Sequence, residues 1–513
     1  LTDTRIKRFA FYHKIYPYTV VFEDEQEFDG IYFLPNWQPL DDQRISVQQS
    51  SFIVTTPADY QLRYLQNAYP GKPIVKQEAD KMQHLWQIAN RKAMLKEPFQ
   101  PDFMEIVPTV YVAPTSFEID GYKGDMSSWE SFGSFVGLLN KGRDILPDDI
   151  KRKVKEIANQ YSTTQDKVTA LYEFLQKNTR YISIQLGVGS WQPFDAKYVV
   201  EKKYGDCKAL SNYMQAILKE VGIEAHYALI QAGWGRKGIY ENFPSPYFNH
   251  AVVCVPNGQD SIWLECTSQT VSAGYAGKHT GDRKALLITP NGGVVANTPK
   301  YTAKENVQIR KVVASIQPDG TLLAEVKTRF TGIQQELAHN LHNDATPEQR
   351  QQYLNSVLSL PTYKVEEIKY QEEKGIVPAM NEYLKIQAPA YASVSGKRLF
   401  VVPNLFNKEG KLQADDDRQY DVFFRSSFKD VDTIEIKIPD GYLLESAPKS
   451  VVAQSKYGSY RISYQYSGNT IQLIREQLQE KGVYPPSEYS NIVKYFDDLY
   501  KADRGKMIFV KKE

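Results

Sequence analysis

Cysteine is scarce, with three in 513 residues, and that scarcity excludes a disulfide scaffold. Cys207, Cys254 and Cys266 are an odd set without a C-x-x-C pair, which argues against a zinc ribbon and leaves at least one thiol free. Charge of one sign is also missing. Sixty-two Lys and Arg stand against 61 Asp and Glu, which argues against a nucleic-acid platform and a polybasic membrane anchor. No apolar run approaches the ~18 residues that cross a bilayer, so no transmembrane segment is expected. No charged-then-apolar leader opens the chain, and its start at Leu1 rather than Met fits a leader already removed. A solenoid is not expected either, since no repeat of about 20 to 50 residues is visible.

What is present points to several domains. A length of 513 residues exceeds what one core usually serves, and 35 tyrosines, many at alternating positions, favour sheet-rich, aromatic-surfaced domains. Residues 1–147 read as a β-rich domain of short β-branched and aromatic runs between Pro, Gly and Asp turns. Within it "MQHLWQIANRKAM" fits a helix by spacing and a strand by its flanks. Residues 148–297 change character to helices followed by strands, an α+β block. Here Thr163 with Asp166 resembles a capping box. Residues 298–513 return to β, with a helical insert opened by Thr346, Pro347 and Gln349. A closing helix is expected from Ser487, burying Tyr489, Ile492, Phe496 and Leu499.

Chemistry concentrates in the middle block. Cys207 follows Gly205-Asp206 and opens a helical run whose Leu210, Met214, Ile217, Leu218 and Val221 share one side. At a first helical turn, unsatisfied N–H groups and the macrodipole favour thiolate over thiol. A nucleophile also needs a base, and the base an orienting group. Both are available in "NHAVVCVPNGQDSIWLECTSQ". With Asn257-Gly258 as a two-residue turn, His250 faces Glu265; a register shifted by two leaves them diagonal on one face. Either of these even-length arrangements places a carboxylate to hold the imidazole, whereas an odd-length loop would set the two on opposite faces.

Plainer readings apply elsewhere. Cys254 and Cys266, inside apolar strands, read as small buried hydrophobes. His13, His84, His226 and His279 read as surface or satisfied core residues, and His339 with His342 as a solvated helical face, so no metal site is expected. Asp206 is either a helix cap or a participant in the site. Gln185 and Trp191 are candidates for a second oxyanion donor beside the Cys207 N–H, with ordinary loop or core roles as the alternative.

The segments "YGDCKALSNYMQAILKEVGIEAHYALI", "FNHAVVCV" and "WLECTSQ" resemble, in order and spacing, the transglutaminase-like superfamily, a circularly rearranged relative of the papain fold. The resemblance spans about residues 150 to 295 and implies Cys207 as nucleophile, His250 as base and Glu265 as third member. The family's usual acid is Asp, so Glu265 is a departure. The layout also resembles bacterial proteins, generally exported, that carry one β-rich domain before this core and another after it. The expectation is therefore a multidomain α+β protein, with a papain-like core between two mostly antiparallel β-sandwich-type domains. Its function would be that of a cofactor-free thiol protease or amidase acting on protein or peptide amides in the periplasm or another extracytoplasmic space. Transglutaminase-type transfer to amines, or a binding scaffold that retains the fold without activity, are the alternatives.

Overall fold

Apolar and polar residues alternate cleanly along "VQIRKVVASI" and "TLLAEVKTRF", and in the computed structural model these become paired antiparallel strands, Val307–Ile316 and Leu322–Thr331. The structure describes residues 8–28, 30–183, 187–234, 238–358 and 360–512. Contacts group the chain into two units: residues 1–94 with 102–299, and 95–101 with 300–513. Among the described residues no helix is long and apolar enough to cross a membrane.

In the first unit a three-stranded antiparallel sheet has Lys81–Arg91 between Val47–Pro57 and Ile74–Glu78. The ambiguous "MQHLWQIANRKAM" is thus mostly strand, with Trp86 and Ile88 buried on one face and their neighbours outside. The stretch before residue 147, read as mostly β, also contains a helix, Trp129–Asn140. Ser128 and Ser131 cap each other there in a reciprocal box that uses Ser where Glu or Gln is usual.

The rest of this unit sets helices against a five-stranded antiparallel sheet. Its strands run in the order Asp260–Leu264, His250–Asn257, His226–Ile230, Lys284–Thr289, Gly292–Asn297. Helices Asp148–Ala158, Thr164–Asn178 and Cys207–Glu220 share one core with that sheet, formed by Val154, Leu171, Leu210, Met214, Val253 and Leu264. Thr163 accepts from the Asp166 N–H at 3.1 Å, as its spacing predicts.

In the second unit an eight-stranded sheet and a four-stranded sheet enclose one core, which Val312 and Ile434 enter from the first and Val401 and Phe509 from the second. Gly468-Asn469 forms the expected two-residue turn between Gly458–Ser467 and Thr470–Gln479. The box of Thr346 and Gln349 opens the helix Pro347–Val357. The closing helix runs Tyr489–Ala502 after a 3-10 turn, and it buries the four residues anticipated. His339 departs from expectation: only 6% exposed, it places Nδ1 3.0 Å from a Glu372 oxygen on the neighbouring strand. The helix carrying it, Glu336–Asn343, turns that side toward the sheet.

Candidate active site

Cys207 is the first residue of the helix Cys207–Glu220 and is 4% exposed. The two-residue strand Tyr204–Gly205 leads into it, paired in parallel with Arg180–Tyr181. A side chain at Gly205 would stand 2.9 Å from the Ala209 Cβ, so the close entry of strand into helix requires glycine. Asp206 is the N-cap: its Oδ1 accepts from the Ala209 N–H at 2.9 Å while Oδ2 pairs with the buried Lys208 ammonium. Its two contacts are those of a cap and an ion pair that secure the helix start.

The helix is fastened to the histidine strand. The Ser211 hydroxyl donates to the Ala251 carbonyl at 3.1 Å. Asn249 extends the pairing beyond the strand end, accepting from the Ala232 N–H at 2.7 Å and donating to its carbonyl at 2.9 Å. The hairpin that brings Glu265 back turns at Gly258-Gln259, one residue later than Asn257-Gly258, because Asn257 pairs with Asp260. Gly258 has φ +67°, the left-handed value such a turn demands. In this register His250 and Glu265 are diagonal neighbours on one face.

His250 Nε2 lies 2.8 Å from Glu265 Oε2 and 3.0 Å from Oε1. Cys207 lines the same cleft as this ring and adds to its basicity. Burial opposes charge on the imidazole, but the Glu265 carboxylate and Cys207 outweigh it and push the ring up to about 10. Burial likewise disfavours the Glu265 charge, yet His250 and the Thr267 donors hold that carboxyl down at about 2. The Thr267 hydroxyl and N–H reach Oε1 at 2.5 and 3.2 Å, and the Tyr172 hydroxyl donates to the Glu265 carbonyl at 2.7 Å. With its extra methylene, the glutamate carboxylate thus still meets the imidazole edge. Burial pushes the Cys254 thiol up to about 11 and that of Cys266 well above its ordinary range.

A cleft of about 160 Å3 opens onto Cys207, Asn249 and His250, with walls from Trp191, Phe33 and Phe248. Trp191 is 6% exposed and packs on Tyr32, Phe33 and Phe132. Gln185 lies outside the described residues. Sequence reasoning passed over Lys208, which "GDCK" signals through its Asp-x-Lys spacing, and Asn249, directly before the histidine. It read His279 as a surface or satisfied core residue, yet its ring centroid is 5.5 Å from that of His250. No spacing rule connects His279 to the strand pair; its proximity arises from the return of the chain through Gly277–Thr280.

Three family models match the chain. Residues 151–269 match the transglutaminase-like superfamily, residues 1–94 a domain of unknown function with a solved structure (DUF3857), and residues 397–509 another such domain (DUF3858). No curated protein matches. Among solved structures, one described as a "putative protease" from Parabacteroides distasonis is 14% identical, covers 93% of this chain and 76% of its own, and has a TM-score of 0.55, which establishes likeness of fold. A "putative cysteine protease" from Cytophaga hutchinsonii is 15% identical over 44% of this chain and 73% of its own, at a TM-score of 0.21. The periplasmic domain of TgpA from Pseudomonas aeruginosa is 13% identical over 46% and 76%, at 0.19. Scores of that size carry no argument. The chain is a multidomain α+β protein in which a core of the transglutaminase-like superfamily stands between β-rich N- and C-terminal domains, matched by DUF3857 and DUF3858.

Proposed function

We propose that this protein is a cysteine protease or amidase that cleaves protein or peptide amides through a thioester, with Cys207, His250 and Glu265 as its triad. The observation that carries the reading is the convergence on one imidazole: Glu265 holds Nε2 at 2.8 and 3.0 Å, and Cys207 lines the same cleft as the ring. Cys207 Sγ, passing its proton to His250, attacks the amide carbonyl carbon. The oxyanion meets the Cys207 N–H, one of the helix-start donors without an intrahelical acceptor, and the Trp191 indole N–H is the proposed second donor. His250 then protonates the leaving nitrogen as the C–N bond breaks. Water, deprotonated by His250, attacks the thioester, and the C–S bond breaks to release the acid and restore the thiol. The residues need no cofactor for these steps. A periplasmic or otherwise extracytoplasmic location is proposed from the sequence resemblance alone.

Iodoacetamide labelling followed by mass spectrometry tests the reading together with turnover of a peptide library. Cys207 is expected to label much faster than Cys254 and Cys266, and His250→Ala to slow it by roughly 10²-fold or more. Cys207→Ala is expected to abolish amide cleavage. Equal labelling of all three thiols, or cleavage that survives Cys207→Ala, defeats the proposal. Amine incorporation in place of hydrolysis redirects it to acyl transfer.

A further inference from the structure

The catalytic scheme makes no use of His279, yet one of its ring nitrogens, one of His250's and a Glu265 oxygen all lie within 4.8 Å of one another. Two imidazoles and a carboxylate are the donor set of many three-ligand zinc sites, which leave a fourth position open. We propose that His250, Glu265 and His279 bind a divalent cation of the zinc class, and that the bound ion withdraws His250 from catalysis. The binding stands on its own; the block of catalysis rests on the thiol-protease reading.

The geometry is close to what the ion requires. Zinc held at about 2.0–2.1 Å by each of three tetrahedral donors separates them by about 3.3 Å. His250 Nε2 and Glu265 Oε2 now stand 2.8 Å apart and need to part slightly, while His279 needs to move inward. His279 has room to do so. Its ring is exposed at the site's edge, on a four-residue turn whose backbone is tied by the Gly233 N–H donating to the His279 carbonyl at 2.9 Å. The same exposure supplies an entry path. An outer support for the carboxylate is in place too. Thr267 donates twice to Oε1, orienting the group and leaving Oε2 turned to the ion.

Binding replaces a proton. The metal–nitrogen bond forms at His250 Nε2 as the proton shared with Glu265 leaves to solvent, so the ring no longer cycles a proton for the thiol. Water or a substrate carbonyl fills the open position.

The test uses the full chain, dialysed against a chelator, with zinc alone as the probe. One zinc per chain is expected, with Cys207→Ala retaining it and His279→Ala weakening it by roughly tenfold or more. Zinc is also expected to slow Cys207 labelling in the parent chain and leave it unchanged in His279→Ala. Cobalt in the Cys207→Ala protein should give the visible absorption of a tetrahedral N,O site. Equal zinc affinity with and without the His279 ring overturns the site. Binding that depends on His279 but leaves Cys207 labelling untouched overturns the block of catalysis while supporting the site. Slow Cys207 labelling in metal-free protein defeats the protease reading alone, because the dialysis comparison does not depend on it. Should His279→Ala melt early by circular dichroism, His279→Gln makes the same comparison in a chain of nearer shape and polarity.

Discussion

Glu265 and His250 hold each other in charged form despite being 12% and 10% exposed, because each supplies the counter-charge whose absence makes burial costly. Glu265→Gln removes that charge while keeping the shape. It is expected to lower the Cys207 labelling rate and any peptide turnover by roughly 10²- to 10⁴-fold. Glu265→Asp, the family's usual acid, shortens the reach by a methylene on a backbone placed for glutamate and is expected to fall between the two. An aspartate variant as fast as the parent would show that the carboxylate's position here is unimportant. At this scale the grouping of Cys207, His250 and Glu265 was legible in the sequence. Cys, His and Glu are residues with distinctive chemistry, set at the ends of elements whose periodicity is visible. His279 was not, since nothing local separates a histidine on a turn beside such a group from one facing only solvent.

The helix Cys207–Glu220 begins where it does because Asp206 closes its first turn, and Asp206 is in turn neutralised by Lys208. Asp206→Ala removes the cap and strands an ammonium that is 5% exposed. The expected cost is about 3–5 kcal/mol, most of it from the unpaired charge. Asp206→Asn, which keeps a capping oxygen, is expected to recover about 1 kcal/mol of that. Urea unfolding of the full chain followed by hydrogen exchange within the helix measures both, and equal loss in the two variants would mean the cap contributes nothing. The hairpin shows the limit of element-level reading. Asn-Gly is a strong turn signal, but Asn257 pairs with Asp260 and the turn moves to Gly258-Gln259. The shift is by two in register, so both residues keep their face.

Across the whole molecule, the second unit encloses a charged network that no single strand announces. Arg475 donates to Asp503 at 2.7 Å with both almost wholly buried, and Asp432 accepts from Asn407 at 3.0 Å. Beside them Asp430, partly buried and accepting from Gln334 at 3.0 Å, is pushed up to about 6 by burial and the nearby Asp432. Its unfolded carboxyl titrates at 3.8, so between these values the folded chain holds a proton that the unfolded chain releases. Stability from this group therefore rises as pH falls from about 7 to about 5, by of order 1–3 kcal/mol. The protection of the strand Phe428–Lys437 against hydrogen exchange, corrected for intrinsic rates, measures this. Asp430→Asn is expected to flatten the dependence, and a parent chain with no such rise would contradict it. The segment Leu95–Pro101 belongs to this unit as well: Glu97 accepts from the Gln419 and Tyr420 N–H groups at 2.8 and 3.1 Å, and Phe99 packs against Phe424. Neither strand period nor turn chemistry marks that placement, since it depends on contacts more than 300 residues apart in sequence.

The sequence by itself determined the order of helices and strands in the core, the caps at Thr163 and Thr346, the closing helix, and the candidate nucleophile, base and acid. Each of these depends on residues within a few positions of one another, where helical and strand periods and capping chemistry act. Only the tertiary structure decided the hairpin register, the burial of His339, and the meeting of His279 with His250 and Glu265. Those outcomes depend on how distant segments pack, and on which buried charge finds a partner once they do.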